Sequence, residues 1–175
     1  MELYDKLTGL YQVKFFKELL KKEVVRSARY GRPACVIVME IQYDYFEKSL
    51  DLRKELAYRI HREMGAAVRE IAREVDFGGR ISGEVLALVL PETDREGGAF
   101  AAERLRKEAE QKEIGSGGLT EHPVKVALNL GVASFPENGR TARELLENAE
   151  KAMAEARIGG GNRSLVAPPL DEGGD

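Results

Sequence analysis

Apolar residues recur along the chain with two different spacings, and stretches of the two kinds alternate. In four stretches the apolar positions return every three or four residues, which is typical of helices with one buried face. These stretches are 13–28, 52–75, 92–111 and 141–156. Shorter runs that are apolar at most positions are expected to form buried β-strands. They are 34–41, the two arms of a hairpin at 76–91, the run 124–135 and a short edge segment at 164–167.

This order of helices and strands predicts the fold class. Strands that alternate with helices favour parallel neighbours, whereas a hairpin makes its two strands antiparallel. We therefore expect an α/β (α+β) fold with a single central mixed β-sheet of about five strands, flanked by helices.

The hairpin from Asp76 to Pro91 is the most informative stretch. Ser82-Gly83 is predicted to form its two-residue turn, because glycine accepts positive φ without strain. The second arm, Val85–Leu90, is apolar throughout, which indicates a strand covered on both faces. Glu84 is the exception. A carboxylate beside a glycine at a hairpin tip can meet a metal ion or a phosphate, and it can also be a solvated turn residue.

Composition narrows the class of protein. The 175 residues suit one domain, and 43% hydrophobic with 33% charged residues is typical of a folded chain. A net charge of −3 gives no basic surface for nucleic acid. The single cysteine, Cys35, lies in an apolar run where we expect it to pack. No apolar run approaches the roughly 18 residues of a membrane span, and the charged start is unlike a signal peptide. These features predict a cytoplasmic protein.

Four motifs stand in an order that resembles one family. They are Asp5-Lys6-Leu7-Thr8-Gly9-Leu10, Arg80-Ile81-Ser82-Gly83-Glu84-Val85-Leu86, Asn129-Leu130-Gly131-Val132-Ala133 and the closing segment 149–162. Together they resemble the GGDEF domain of diguanylate cyclases, a family that condenses two GTP molecules into cyclic diguanylate. The resemblance implies a degenerate GGDEF domain over 1–167, and we expect a disordered tail over 168–175.

The family signature itself is altered. Ser82, Gly83, Glu84, Val85 and Leu86 stand where the family has Gly-Gly-Asp/Glu-Glu-Phe. The resemblance implies that Glu84 keeps the metal-binding acid, whereas Val85 replaces an acid that the family needs for catalysis. Loss of an acid or base typically costs on the order of 10²–10⁴ in rate.

Further departures fall on positions that hold GTP in the family. Gln42 replaces a carboxylate, Tyr45 replaces a phosphate-contacting lysine, and Gly161 replaces an arginine, although Arg157 can replace another lysine. The segment 48–57 lacks the family's guanine-holding elements. We therefore predict that cyclase activity is lost and that no catalytic residue remains.

The surviving acids give the predicted metal site. Glu40 ends one predicted strand and Glu84 begins another, so the two could reach one sheet edge if those strands are neighbours. Two carboxylates alone bind Mg²⁺ weakly without substrate phosphates. We expect that no cofactor is required and that any Mg²⁺ binding by Glu40 and Glu84 is weak.

The resemblance implies a second site, although Arg-x-x-Asp is a common string and an arginine at a helix end can simply be solvated. Many GGDEF domains carry an inhibitory product site, Arg-x-x-Asp, five residues before the signature, and Arg73-Glu74-Val75-Asp76 has that spacing. The resemblance adds Arg104 from the following helix. Arginine can fork onto a guanine edge or a phosphate, and aspartate can accept from guanine N–H groups.

Two functions from different classes follow. The first is an inactive GGDEF domain that acts as a cyclic diguanylate receptor and signalling adaptor through Arg73, Asp76 and Arg104, and passes occupancy to a protein partner. The second is a protein-interaction module that binds no nucleotide. A residual enzyme ranks third, and a homodimer is a further option for the assembly. Neither a nucleic-acid partner nor a membrane span is expected.

Overall fold

A seven-stranded sheet lies at the centre of the structure, a computed structural model that describes residues 2–43, 49–115, 118 and 122–171. The elements are, in chain order, β1 Tyr11–Gln12, α1 Val13–Tyr30, β2 Ala34–Tyr43, α2 Leu50–Ile71, β3 Phe77–Ser82, β4 Val85–Pro91, α3 Arg95–Gln111, β5 Glu113–Ile114, β6 Val124–Phe135, α4 Ala142–Ile158 and β7 Arg163–Val166.

The predicted mixed sheet with flanking helices is confirmed, with more strands than expected. The strand order is β1-β3-β4-β2-β6-β5, and β7 pairs with β6. The pairs β1/β3 and β6/β7 are parallel, and the other pairs are antiparallel. Two of the seven strands, β1 and β5, are two residues long, which is too short for a periodic pattern to reveal.

Each face of the sheet has its own core. Alternate residues of a strand point to opposite faces. Cys35, Ile37 and Met39 of β2 therefore pack with α2 and α3, whereas Val36 and Val38 pack with α1 and α4. Strand β4 is covered on both faces as predicted, since residues 86–90 are at most 4% exposed.

The end of α2 differs from the prediction. The helical pattern suggested residues up to 75, but the helix ends at Ile71 and Ala72 is extended, with φ −61° and ψ 132°. The carboxylate of Asp76 explains the difference, because its Oδ2 accepts from the backbone N–H of Arg73 at 2.8 Å and so stabilises a turn. Val75 is consequently 63% exposed instead of facing the core.

The hairpin turn is also shifted by one residue from the prediction. Ser82 belongs to β3 and pairs with Val85, so the turn residues are Gly83 and Glu84. The register shifts between Arg80 and Ser82, which moves the turn along the chain. Gly83 does not have a positive φ, so the prediction that the turn needs a glycine for a positive φ is wrong.

The predicted tail begins with anchored residues. The N–H of Leu170 donates to the carbonyl of Glu137 at 2.9 Å, and Asn138 Nδ2 donates to the carbonyl of Pro168 at 2.8 Å. Residues 168 and 170 are therefore hydrogen-bonded to the domain, although the prediction placed them in the tail. Residues 172–175 lie outside the described residues.

None of the helices in the described part of the chain is long and apolar enough to cross a membrane.

Candidate functional site

The turn of the altered signature is held from two sides at one carbonyl group. The Gly83 carbonyl oxygen accepts from Arg80 Nε at 3.2 Å and Arg80 Nη2 at 3.1 Å, and it lies 2.9 Å from His61 Nε2. Arg80 Nη1 also donates to Asp5 Oδ2 at 3.2 Å. The turn is thus fixed to the N-terminal segment through Arg80 and to α2 through His61.

Glu84 points toward the α2 side of the sheet. Its Oε2 is buried and lies 3.2 Å from Nε2 of His61, whose side chain is 4% exposed. The other ring nitrogen of His61, Nδ1, lies 2.7 Å from the carbonyl oxygen of Ala57. Burial and the nearby Glu84 charge raise the pKa of Tyr43. Glu84 therefore has one buried oxygen beside a histidine, while its side chain as a whole is 43% exposed.

Glu40 points to the opposite side, where its carboxylate already has two partners. Arg157 Nη1 of α4 donates to Glu40 Oε1 at 2.8 Å, and Asn129 Nδ2 of β6 donates to Oε2 at 3.2 Å. Asn129 Nδ2 also contacts Gln42 Oε1 at 3.1 Å, and Asn129 Oδ1 accepts from the backbone N–H of Asn162 at 2.9 Å. Gln42 and Asn129 thus join the end of α4 to the centre of the sheet.

The structure does not bring Glu40 and Glu84 into one metal site. Their strands are neighbours, as the prediction required, but the residue paired with Glu40 is Val85. Side chains alternate along a strand, so the acid one residue earlier faces the other side. Among the described residues, no three His, Cys, Asp or Glu side chains form a group that could hold a metal ion. The residues described here therefore do not fit the metal site of the family, and Asp44 and Tyr45 lie outside them.

The remaining signature residues have structural surroundings. Val85 packs against the core cluster on the α1/α4 face, and Leu86 is fully buried on the other face. Ser82 is exposed at the end of β3. The space at Gly161 is narrow, since a Cβ there would lie 3.0 Å from Gln42 Oε1 and 3.1 Å from Asn129 Oδ1, and its φ is +74°. An arginine at that position would need both a different backbone and more room.

Arg73 and Asp76 form a fork-like pair at the end of α2. Arg73 Nε donates to Asp76 Oδ2 at 3.2 Å and Nη2 donates to Oδ1 at 3.1 Å. Nη2 also reaches the Pro91 carbonyl at 3.2 Å and Thr93 Oγ1 at 2.8 Å. The Asp76 side chain is 1% exposed and the Arg73 side chain 57%. A buried carboxylate thus fixes an exposed guanidinium in one orientation.

Arg104 is on the outer face of α3 and does not contact Arg73. It is exposed and has no hydrogen bond or ion pair to any residue that the structure describes. A surface nevertheless connects the two arginines. Arg73 contacts Thr93, and a Cβ on Gly97 would lie 2.8 Å from Thr93 Cγ2, so Thr93 lies over Gly97. Gly97 and Arg104 are seven residues apart and share one side of the helix.

Comparison with known proteins identifies the family. The sequence model described as "Diguanylate cyclase, GGDEF domain" matches residues 2–163. The chain belongs to the GGDEF domain family. This GGDEF domain is 30% identical over 166 residues to diguanylate cyclase DgcP of Pseudomonas aeruginosa, with 94% of the chain and 24% of DgcP covered. It spans 24–45% of the length of the first curated relatives that it matches.

Solved structures agree with the fold of this GGDEF domain. The GGDEF domain of DgcB from Caulobacter crescentus, in complex with c-di-GMP (cyclic diguanylate), superposes with a TM-score of 0.78. It has 19% sequence identity, with 94% of this chain and 92% of that chain covered. Diguanylate cyclase SiaD in complex with its activator SiaC, from Pseudomonas aeruginosa, has a TM-score of 0.78 and 22% identity, with 95% and 62% covered.

Sequence reasoning missed two residues of this GGDEF domain: His61, which contacts the turn at Gly83 and Glu84, and Asn129, which contacts Glu40 and Gln42. His61 lies in an amphipathic helix, where a histidine on the apolar face carries no specific signal. Asn129 was noticed only as part of a motif. Its position in a run of otherwise apolar residues was the available signal, because a fully buried amide needs hydrogen-bond partners.

Proposed function

We propose that this GGDEF domain binds cyclic diguanylate through Arg73, Asp76 and Arg104 and does not condense GTP. The observation that carries the proposal is the Arg73–Asp76 pair, in which a buried carboxylate fixes an exposed guanidinium. Arg73 uses Nε and Nη2 for contacts within the domain, and Nη1 has no hydrogen bond among the described residues. Its orientation is set before the ligand arrives, which reduces the entropy lost on binding.

The chemistry of the three residues suits this ligand. A guanidinium forms paired hydrogen bonds with phosphate oxygens or with the acceptor edge of guanine. Arg73 and Arg104 lie at two ends of one surface, since the nine residues from the start of α3 to Arg104 span roughly 14 Å of helix axis. Within the part of the chain that the structure describes, Arg104 has no hydrogen bond or ion pair to break when it turns toward a ligand. Two cations at the ends of one surface fit a ligand with two phosphodiester groups.

The surroundings of Val85, Glu40 and Glu84 support the proposal that the domain does not condense GTP. Val85 cannot transfer a proton, and Glu40 is already engaged by Arg157 and Asn129. Its carboxylate and that of Glu84 face opposite sides of the sheet. The proposal therefore includes no metal-dependent step, and weak Mg²⁺ binding by Glu40 or Glu84 stays a prediction.

Titration calorimetry with cyclic diguanylate tests the binding site. We expect wild type to bind, and Arg104→Ala to bind about 10- to 150-fold more weakly, from the worth of a charged hydrogen bond. Because Arg104 makes no hydrogen bond or ion pair with the described residues, the unfolding midpoint of Arg104→Ala should match that of wild type. Arg73→Ala should lose binding and also some stability, since Asp76 keeps a buried carboxylate without its main cation.

Arg53→Ala is the matched control. It removes the same charge from the exposed start of α2, about 30 Å of helix axis from Arg73, and should bind like wild type. Absence of binding by wild type at high ligand concentration contradicts the receptor proposal and favours a protein-interaction module. Incubation with GTP and Mg²⁺ followed by nucleotide chromatography should show no cyclic diguanylate, and any turnover contradicts the proposed inactivity.

A further inference from the structure

Phe100 is a large apolar side chain on the outer side of α3, where packing of the fold gives no reason for it. The buried residues of this helix point inward to the sheet and are Gly98, Ala102, Leu105 and Ala109. Phe100 lies on the opposite side and is 74% exposed. Its neighbours three and four residues away are Gly97 and three charged residues, Glu96, Glu103 and Arg104, so no apolar side chain of the helix lies beside the ring. An exposed phenylalanine contributes little to folding, since burial of its area is what stabilises a fold.

The position of Phe100 places it inside the proposed ligand surface. Phe100 follows Gly97 by three residues and precedes Arg104 by four, and such residues are neighbours on a helix, with Cβ atoms about 5–6 Å apart. Phe100 and Arg104 also line one open cavity of about 600 Å³, together with Lys107 and Gln111. All the residues that line it belong to α3, and Arg73 and Gly97 are not among them, so a ligand that reaches Arg73 would extend beyond this cavity.

The cavity combines a flat apolar ring with cations. An aromatic ring with an arginine beside it is the arrangement that holds a nucleobase, because the base stacks on the ring while the cation meets the phosphate. Two acids also line the cavity. Glu103 is engaged by Arg106 and Ser164, which lowers the pKa of its carboxyl, and Glu108 is only partly exposed. Arg104 and Lys107 remain available for an anionic ligand.

We propose that Phe100 is the stacking platform for one guanine base of cyclic diguanylate, beside Arg104. This inference rests on the proposed function and adds a residue to the same site. The ligand would lie along this side of α3, next to Thr93, which covers Gly97, with Arg73 at one end. One base would cover the ring of Phe100, and the phosphodiester next to that base would meet Arg104.

Calorimetry on Phe100 variants tests the platform. Phe100→Ala should weaken cyclic diguanylate binding about 5- to 150-fold, the range measured for removing one stacking ring. Phe100→Trp should bind at least as tightly as wild type, because it keeps a ring, whereas an apolar side chain without a ring, in Phe100→Leu, should behave like alanine. None of the three should shift the unfolding midpoint, since the ring is exposed. Ile158→Ala is the matched control, with 81% exposure on α4.

Proton NMR of the ligand supplies a second measurement. Stacking on Phe100 should move the guanine H8 resonance upfield on binding to wild type, and the shift should be absent with Phe100→Ala. Wild-type affinity in Phe100→Ala, combined with weakened binding in Arg104→Ala, overturns this inference and leaves the proposed function intact. Failure of wild type to bind overturns both. If Phe100→Ala instead dissociates a dimer of this chain in sedimentation and leaves ligand affinity unchanged, Phe100 serves an interface and the inference is wrong.

Discussion

Gly131 lies in the middle of β6 where α4 crosses closest to the sheet, and alanine at this position should be costly. An ideal Cβ on Gly131 would lie 1.9 Å from the carbonyl oxygen of Ala149 and 2.5 Å from the backbone nitrogen of Met153. Ordinary contact begins at 3.4 Å, so the methyl group falls short of it by about 1.5 Å. Both obstructing atoms belong to the helix backbone, and no side-chain rotation can relieve the clash.

The size of the effect follows from what must move. Extra methyl groups in packed interiors typically cost about 1–3 kcal/mol, and movement of a whole helix favours the upper end. For a domain of this length, a loss of about 3 kcal/mol lowers the melting temperature by roughly 6–12 °C. Helix α4 also carries Arg157 to its 2.8 Å contact with Glu40, so the same shift should lengthen that ion pair.

Urea unfolding of Gly131→Ala measures this prediction, and Gly115→Ala is its control. A Cβ on Gly115 meets no atom within 4 Å, and its φ lies outside the left-handed region, so that variant should unfold like wild type. If Gly131→Ala has the wild-type free energy of unfolding, the close approach of α4 to β6 is wrong as described. Equal losses in both variants would also contradict the clash, because replacing glycine by alanine restricts the unfolded chain and by itself stabilises the fold.

Two further predictions concern the N-terminal turn and the end of the sheet. Burial tends to raise the pKa of Asp5, but its hydrogen bonds from Thr8 and the charge of Arg80 outweigh this and lower it. Asp5 should therefore stabilise the fold above about pH 4 and lose that contribution as the pH falls through its folded pKa. Urea unfolding between pH 7 and 3 should show a shallower acid decline in Asp5→Asn, and an unchanged decline contradicts the assignment. Asn138 is fully buried and accepts twice from Ser134 while donating to the carbonyls of residues 167 and 168. Asn138→Ala should cost about 3 kcal/mol of unfolding free energy by leaving these groups unpaired, and a loss below about 0.5 kcal/mol would refute it.

The long elements were predictable because burial of one face imposes a period on the sequence. The two-residue strands β1 and β5 are too short to show a period. The predicted end of α2, at residue 75, is wrong for a different reason. Val75 continues the apolar spacing, but the Asp76 carboxylate competes for the backbone N–H of Arg73 and ends the helix. A local side-chain bond decided a boundary that hydrophobic spacing could not resolve.

The sequence was enough to name the candidate site residues, but it could not show which of them lie together in the fold. The sequence placed Glu40 at a strand end and Glu84 at a hairpin tip, and the strands are indeed neighbours. Which acid shares a face with Glu40 depends on the pairing register, and a change of one residue in register reverses every side chain. Similarly, the spacing between Arg73 and Asp76 was visible, whereas the burial of Asp76 and the contacts of Arg73 with Pro91 and Thr93 required the fold.

The register also gives a physical reason to expect that, among the departures from the family signature, valine at position 85 has the largest effect. Val85 is the direct partner of Glu40, and paired residues of antiparallel strands point to the same face. An acid at position 85 would therefore stand beside Glu40, whereas the acid that remains, Glu84, faces α2 and His61. With valine there, Glu40 is the acid that the described residues place at this point of the face, and Arg157 neutralises it at 2.8 Å. A lone, neutralised carboxylate is a weak ligand for a divalent cation, because these ions are held by several oxygens at once. In the proposed loss of cyclase activity, this one position would account for both a proton-transfer group and half of an acid pair. Arg73, which follows α2, and Arg104 of α3 are separate from it.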